Sequence, residues 1–230
     1  CCLYLLRPLL DLSFFCLKFF NVLIYKMLSF TKKEVALMQK LNTPVKMQDF
    51  LSGLKFNFEE KGETLKSPVM VLRTQNAHCL EGAILGAYIL SLHGFPPLIL
   101  HLQTTGDDFD HVITPFKQHG LWGALSKTNH AVLRYREPIY KNIHELAVSY
   151  FHEYFLNKNG KKTLRKYSRL LNLNIFGENW AVEKNDLWKI DKKLDKIKHY
   201  NIASKIVFKN LRKADKVEIE AGKIVQFRKN

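Results

Sequence analysis

Cys79 is the only cysteine between Met27 and Asn230. A histidine, His111, follows at the end of the run Asp108-Phe-Asp-His. A solitary cysteine with a histidine far off in sequence is the pattern of a nucleophile and its general base, joined by folding. The thiolate is the reactive form, so the cysteine must stand where negative charge is favoured. From Cys79 the chain reads CLEGAILGAYILSLHG, a helix that begins at the cysteine. The first turn of a helix offers unpaired N–H groups and the positive end of the dipole. Those groups favour a thiolate and can also hold a tetrahedral oxyanion. Gln75 and Asn76 are candidate additional oxyanion donors, His78 a candidate to tune the thiolate, and Glu81 a favourable charge for the helix start.

A base of this kind needs a third group to orient its ring. Ser126 and Asn129 are the candidates, with Asp108 and Asp110 as alternatives. Asp110 adjoins His111, so on a strand its side chain points to the opposite face.

These residues require particular elements. The Cys79 helix is apolar on most sides, which predicts a buried, central helix ended by Gly94. Leu98–Leu102 reads as a short buried strand and Asp107–Asp110 as a loop. His111–Lys117 reads as a second strand, and the turn Gln118-His-Gly120 leads to a third over 121–126. The expected architecture is α+β, with a central helix on an antiparallel sheet. Upstream, Thr31 and Glu34 predict a capped helix, and Pro44 separates it from a second one. Downstream, Asn142-Ile-His-Glu145 predicts a helix running to Asn159-Gly160. Residues 191–199 read as helical, and 205–208, 217–219 and 224–227 as β-prone.

The stretches NAHCLEGAILGAYILSLHGFPPLIL, DFDHVITPF and GLWGALSKT together resemble the transglutaminase-like superfamily, a branch of the papain-like cysteine fold. The resemblance covers about residues 65–130. It rests on a helix-borne cysteine, a histidine opening a strand, and a polar residue ending the next strand. The family pattern has an aspartate where this chain has Ser126, downstream of Trp122. By alignment Ser126 takes the orienting role; Asn129 is the alternative, since papain-like proteases use asparagine there. The resemblance implies a thioester at Cys79 with His111 as base, in amide or peptide hydrolysis or acyl transfer. It implies no cofactor and no metal, and a protein, peptide or small amide as substrate. The serine in the aspartate's place leaves a second expectation: an inactive module of this fold that binds a protein or acidic partner.

Composition sets the wider bounds. The chain has 230 residues, 47% of them hydrophobic, enough for one sizeable core with an appendage. The expected division is a transglutaminase-like domain over 27–177 and a basic extension over 178–230 packed on it. Residues 1–26 are apolar but contain Arg7, Pro8, Asp11 and Lys18. Each charge within a membrane helix costs roughly 2.5–3.5 kcal/mol. The segment is therefore read as an extension upstream of a native start at Met27, with a membrane anchor as the alternative. Three of the four cysteines lie in it, so the rest of the chain cannot form an internal disulfide. A reducing, cytoplasmic setting is expected.

Net charge is +15. Residues 157–230 hold 20 Lys and Arg against 8 Asp and Glu, so this third carries most of the excess. It suits an acidic partner, but no nucleic-acid recognition motif accompanies it. His144, His152 and His199 lack metal-ligand spacing and read as structural residues.

Overall fold

Thr31 and Thr43 each start a helix. The computed structural model describes residues 29–177 and 179–229. The apolar segment 1–26 and the expected start at Met27 lie outside the described residues. The Thr31 side chain accepts from Glu34 N at 3.2 Å, and Glu34 Oε2 accepts from Thr31 N at 2.6 Å. This capping box opens α1 (Lys32–Lys40). Thr43 and Pro44 open α2 (Pro44–Gly53). A two-stranded parallel pair, β1 (Lys55–Phe56) and β2 (Asn76–Ala77), flanks α3 (Pro68–Thr74).

The central helix is α4 (Cys79–Ser91), with every residue from Leu80 to Leu90 buried. Gly94 takes φ +88°, a left-handed conformation that glycine reaches without strain, and turns the chain towards the sheet. The sheet strands follow as β3 (Leu98–Gln103), β4 (His111–Gln118), β5 (Leu121–Leu125) and β6 (Arg136–Tyr140). After α5 (Ile143–Val148) come β7 (Lys166–Ser168) and β8 (Leu171–Asn172). The chain ends with α6 (Trp188–Lys196), β9 (His199–Asn201), α7 (Lys205–Lys209) and α8 (Lys216–Gly222).

The protein is α+β. Its main sheet runs β6-β5-β4-β3-β7-β9, with β8 also paired to β3. Every pairing in it is antiparallel. Alternation along the strands builds two apolar layers. Ile99, Val112, Phe116 and Leu125 join α4, α2, α3 and α6 in one cluster. Leu100, Leu102, Ile113 and Ala124 join Leu146 and Ala147 of α5, Tyr150 and Tyr154 in the other. Residues 179–229 contribute to both the core and the sheet: Trp180, Leu187, Ile190 and Leu194 pack in the first cluster, and β9 pairs with β7.

The contacts of α4 fix its direction over the sheet. Thr114 Oγ1 donates to Ala83 O at 2.7 Å. A Cβ at Gly86 would meet Thr114 and Leu125, whereas one at Gly82 would meet Lys127, beyond the end of β5. The helix therefore carries its N-terminus to the edge where β4 begins and β5 ends. That edge holds His111 and Ser126.

Three segments differ from the sequence expectation. The helix from Asn142 stops at Val148. Beyond it comes a 3-10 turn (Phe151–Glu153) and a tight loop in which Leu156 N donates to Lys161 O and Phe155 bridges Lys162. Tyr150, Phe151, Tyr154 and Phe155 have helical spacing because two of them turn into the core, not because a helix continues. Residues 205–208 and 217–219 are helical. For α8 the cause is a capping box between Asp215 and Glu218, which outweighs the β-preference of Val217 and Ile219. Of 224–227, only Val225 forms a bridge, with His130. Among the described residues, no helix is long and apolar enough to cross a membrane.

Gly82 is the point of closest approach between α4 and the segment after β5. An added Cβ would stand 2.4 Å from Lys127 Cβ, and that atom cannot swing away as a chain tip can. Gly82→Ala is expected to destabilise the protein by about 1–3 kcal/mol, read as lowered Tm. Gly53→Ala, where nothing lies within 4 Å, is the control and leaves Tm unchanged or slightly raised.

Candidate active site

The start of α4 is held by its own residues. His78 N donates to Glu81 Oε2 at 3.0 Å, closing a capping box. Glu81 is wholly buried, and its carboxylate also accepts from Thr64 Oγ1 at 2.8 Å, Lys66 N at 3.0 Å and Asn57 Nδ2 at 3.1 Å. The Lys66 ammonium lies 3.5 Å away. A buried carboxylate is tolerated only when its lone pairs are filled and its charge is balanced, and both conditions hold here. The result ties the 57–66 loop to the first turn of the helix and sets Cys79 within it.

Cys79, His78 and His111 line one cleft of about 600 Å³. Its walls include Phe56, Phe58 and Phe109, with Tyr154 and Lys127 further in. Burial opposes ionisation of the Cys79 thiol. Hydrogen bonds from His111 and then His78, with the positive charges of both rings, override that penalty and hold its pKa well below the ordinary thiol value. Burial likewise pushes His78 down, but the Cys79 thiolate, Glu81 and the Thr64 carbonyl raise it to about 9. His78 Nε2–H donates to Thr64 O at 2.9 Å. The longer contact of Leu80 N to His78 Nδ1, 3.3 Å, serves only the neutral ring.

His111 opens β4, opposite Leu102 of β3, and is buried. Its Nε2 lies 2.8 Å from Ser126 Oγ. The Ser126 hydroxyl donates to Leu133 O at 2.5 Å, so its proton is engaged and its oxygen accepts from His111 Nε2–H. That leaves Nδ1 of His111 as the ring nitrogen available to a thiol. Ser126 is fixed in turn by Gln48, whose amide accepts from Ser126 N and donates to Ser126 O, both at 2.9 Å. Leu133 holds φ +61°, a strained value for a side chain of this size. Glu153 Oε2 secures it by accepting from Leu133 N at 2.6 Å, while Glu153 Oε1 pairs with Arg136 at 2.7 Å.

Of the residues singled out from the sequence, Cys79, His111 and Ser126 come together. Asn129 lines the same cleft, but its amide is occupied: Nδ2 donates to Phe227 O at 2.9 Å and Oδ1 accepts from Phe227 N at 2.7 Å. It clamps the C-terminal segment instead of bonding the imidazole. Asp110 also lines the cleft, but its carboxylate is occupied elsewhere and accepts from His101 Nε2 and Thr104 N at 2.9 and 2.7 Å. Asp108 accepts from Thr163 Oγ1 at 2.5 Å. Gln75 caps α3 in a left-handed conformation, and Asn76 accepts from the Lys66 ammonium; neither lines the cleft. Of the other histidines, His199 contacts His101 at 3.1 Å, and the His144 ring lies 5.6 Å from that of Tyr167, tilted by 52°. Among the described residues, no cluster of His, Cys, Asp and Glu could hold a metal ion.

Sequence reasoning missed three residues. Gln48, on α2, has no local signal of its role in the sequence. Lys127 is buried; its ammonium donates to Leu54 O, and burial followed by the Arg134 charge lowers its pKa to about 8. Tyr154 lies in an aromatic run whose spacing mimics a helix. No protein-family model matches the chain, and none of the curated proteins matches it.

The His78 shift has a definite sign. Its folded pKa is raised from 6.5 to about 9, so its contribution to stability is complete below 6.5 and is lost as pH rises through about 9. His78→Asn keeps a capping side chain at the helix start but removes the charge. The variant is expected to melt below wild type in mildly acid buffer, and the gap in Tm closes as pH passes about 9. A gap that stays constant across that range contradicts a charged His78.

Proposed function

We propose that this chain is a cysteine-dependent acyltransferase or amidohydrolase, with a papain-like site of transglutaminase-like type. The observation that carries the reading is a single cleft lined by Cys79, His78 and His111, with His111 seated on Ser126. The substrate class is a carboxamide or peptide, small or protein-borne, entering the open cleft beside Phe109, which is 91% exposed.

The Cys79 thiolate attacks the carbonyl carbon. A C–S bond forms and the carbonyl π pair moves to oxygen, where first-turn N–H groups of α4 stabilise it. Collapse of this intermediate breaks the C–N bond, and the leaving amine takes the proton held on His111. The product of this half-reaction is a thioester and a neutral imidazole. Water, or an acceptor amine, then attacks the thioester while His111 takes its proton. Breaking the C–S bond returns the thiolate and imidazolium. Ser126 keeps the ring oriented throughout. Its hydroxyl carries no charge, so its support for the imidazolium is weaker than a carboxylate's. The second imidazole, His78, supplies positive charge to the thiolate from the helix side.

The reading is tested with p-nitrophenyl acetate as acyl donor and intact-mass detection of the acylated chain. Wild type is expected to acquire one acetyl group at Cys79 and release it by hydrolysis. His111→Ala is expected to lose about 10²–10⁴-fold in turnover, the range for a removed acid–base group. Acetylation that persists in Cys79→Ala at the wild-type rate overturns the proposal.

A further inference from the structure

Tyr154 follows the 3-10 turn after α5 and is only 3% exposed. Its hydroxyl is buried and has no hydrogen-bond partner; it stands alone in this among the described residues. The neighbouring Tyr150 shows the usual arrangement: equally buried, its hydroxyl donates to Arg134 O at 3.1 Å. A buried polar atom left unpaired carries its full desolvation penalty, so a folded protein retains one where something else uses it.

The position of Tyr154 says what that use is. Its ring belongs to the second apolar cluster, while the residue lines the cleft that holds Cys79 and His111. Burial raises its pKa well above the ordinary phenol value, and the strongest charge acting on it is the Cys79 thiolate, ahead of Asp108 and Asp110. The hydroxyl therefore stays protonated and can only help as a donor. Its backbone is fixed as well: Tyr154 O accepts from Thr163 N at 3.0 Å. The preceding residue, Glu153, holds the Leu133 segment that takes the Ser126 proton. The tyrosine thus adjoins the residue that anchors the His111 support.

Building on the acyl-transfer reading, we infer that Tyr154 is a further catalytic residue, its hydroxyl donating a hydrogen bond to the oxyanion formed when Cys79 attacks a carbonyl. The phenol keeps its proton. The oxygen gains charge as the C–S bond forms and loses it when the leaving group departs, so the bond is strongest at the intermediate.

The test compares two reactions of the same sulfur in Tyr154→Phe. Acylation by p-nitrophenyl acetate passes through an oxyanion. Alkylation by iodoacetamide displaces iodide at a CH₂ group and does not. The variant is expected to lose about 10²-fold or more in acylation rate, the effect of removing one such donor. Alkylation stays at the wild-type rate, and Tm is unchanged or raised because an unpaired buried group has gone. Tyr150→Phe is the control: it loses a satisfied bond, so Tm falls while the ratio of the two rates holds. Wild-type acylation in Tyr154→Phe overturns the inference, as does an equal loss in both reactions, which would assign the residue to the thiolate or to the fold. These outcomes are separate from failure of wild type itself to acylate at Cys79, which would remove the acyl-transfer reading and this inference with it.

Discussion

Everything at the site depends on the buried carboxylate of Glu81. A helix start inside a protein leaves N–H groups without partners, and a loop lying beside it has polar groups of its own to satisfy. Glu81 answers both needs at once. It closes the capping box with His78, takes the Thr64 hydroxyl and the Lys66 amide, and keeps an ammonium close. The loop and the helix cannot move independently while these bonds stand. Cys79 is therefore presented at a fixed place, in the turn where an anion is most favoured.

The rest of the geometry follows from packing. Gly82 and Gly86 let α4 lie close on β4, β5 and the segment after them. This close approach puts the helix start at the end of the sheet, so Cys79 and His111 line the same cleft at that edge. There the support is layered: Gln48 holds the backbone of Ser126, Ser126 holds His111, and Leu133 holds the Ser126 proton. Each layer limits the rotation of the next. The strained backbone of Leu133 fits a site whose position is set by its surroundings rather than by local preference.

Much of this was legible in the sequence where one local pattern was enough. The apolar girth of α4 and its ending at Gly94 identify a buried helix. The turn at His119-Gly120 and the short apolar runs around it give the antiparallel strands, and the order Cys79, His111, Ser126 gives the candidate site. What could not be read depends on distant partners. Asn129 is chemically suited to orient an imidazole, but Phe227 occupies it from the far end of the chain. Glu81 at the third helical position suggested only a favourable charge; its partners Asn57, Thr64 and Lys66 come from a loop with no pattern of its own. Tyr150 to Phe155 mimicked a helix because core-facing aromatics in a turn and hairpin can share helical spacing. That same misreading hid Tyr154, whose unpaired hydroxyl is visible only once its neighbours are in place.

The central claim is that Cys79 rests as a thiolate held by imidazole, and the thiolate's ultraviolet absorbance reports this directly. The difference spectrum between wild type and Cys79→Ala, followed across pH, isolates this one sulfur. The band is predicted to persist at pH well below the ordinary thiol range and to vanish only on further acidification. In His111→Ala it should shift to higher pH. A band that appears in wild type only around the ordinary thiol midpoint, about 8.5, would contradict the account.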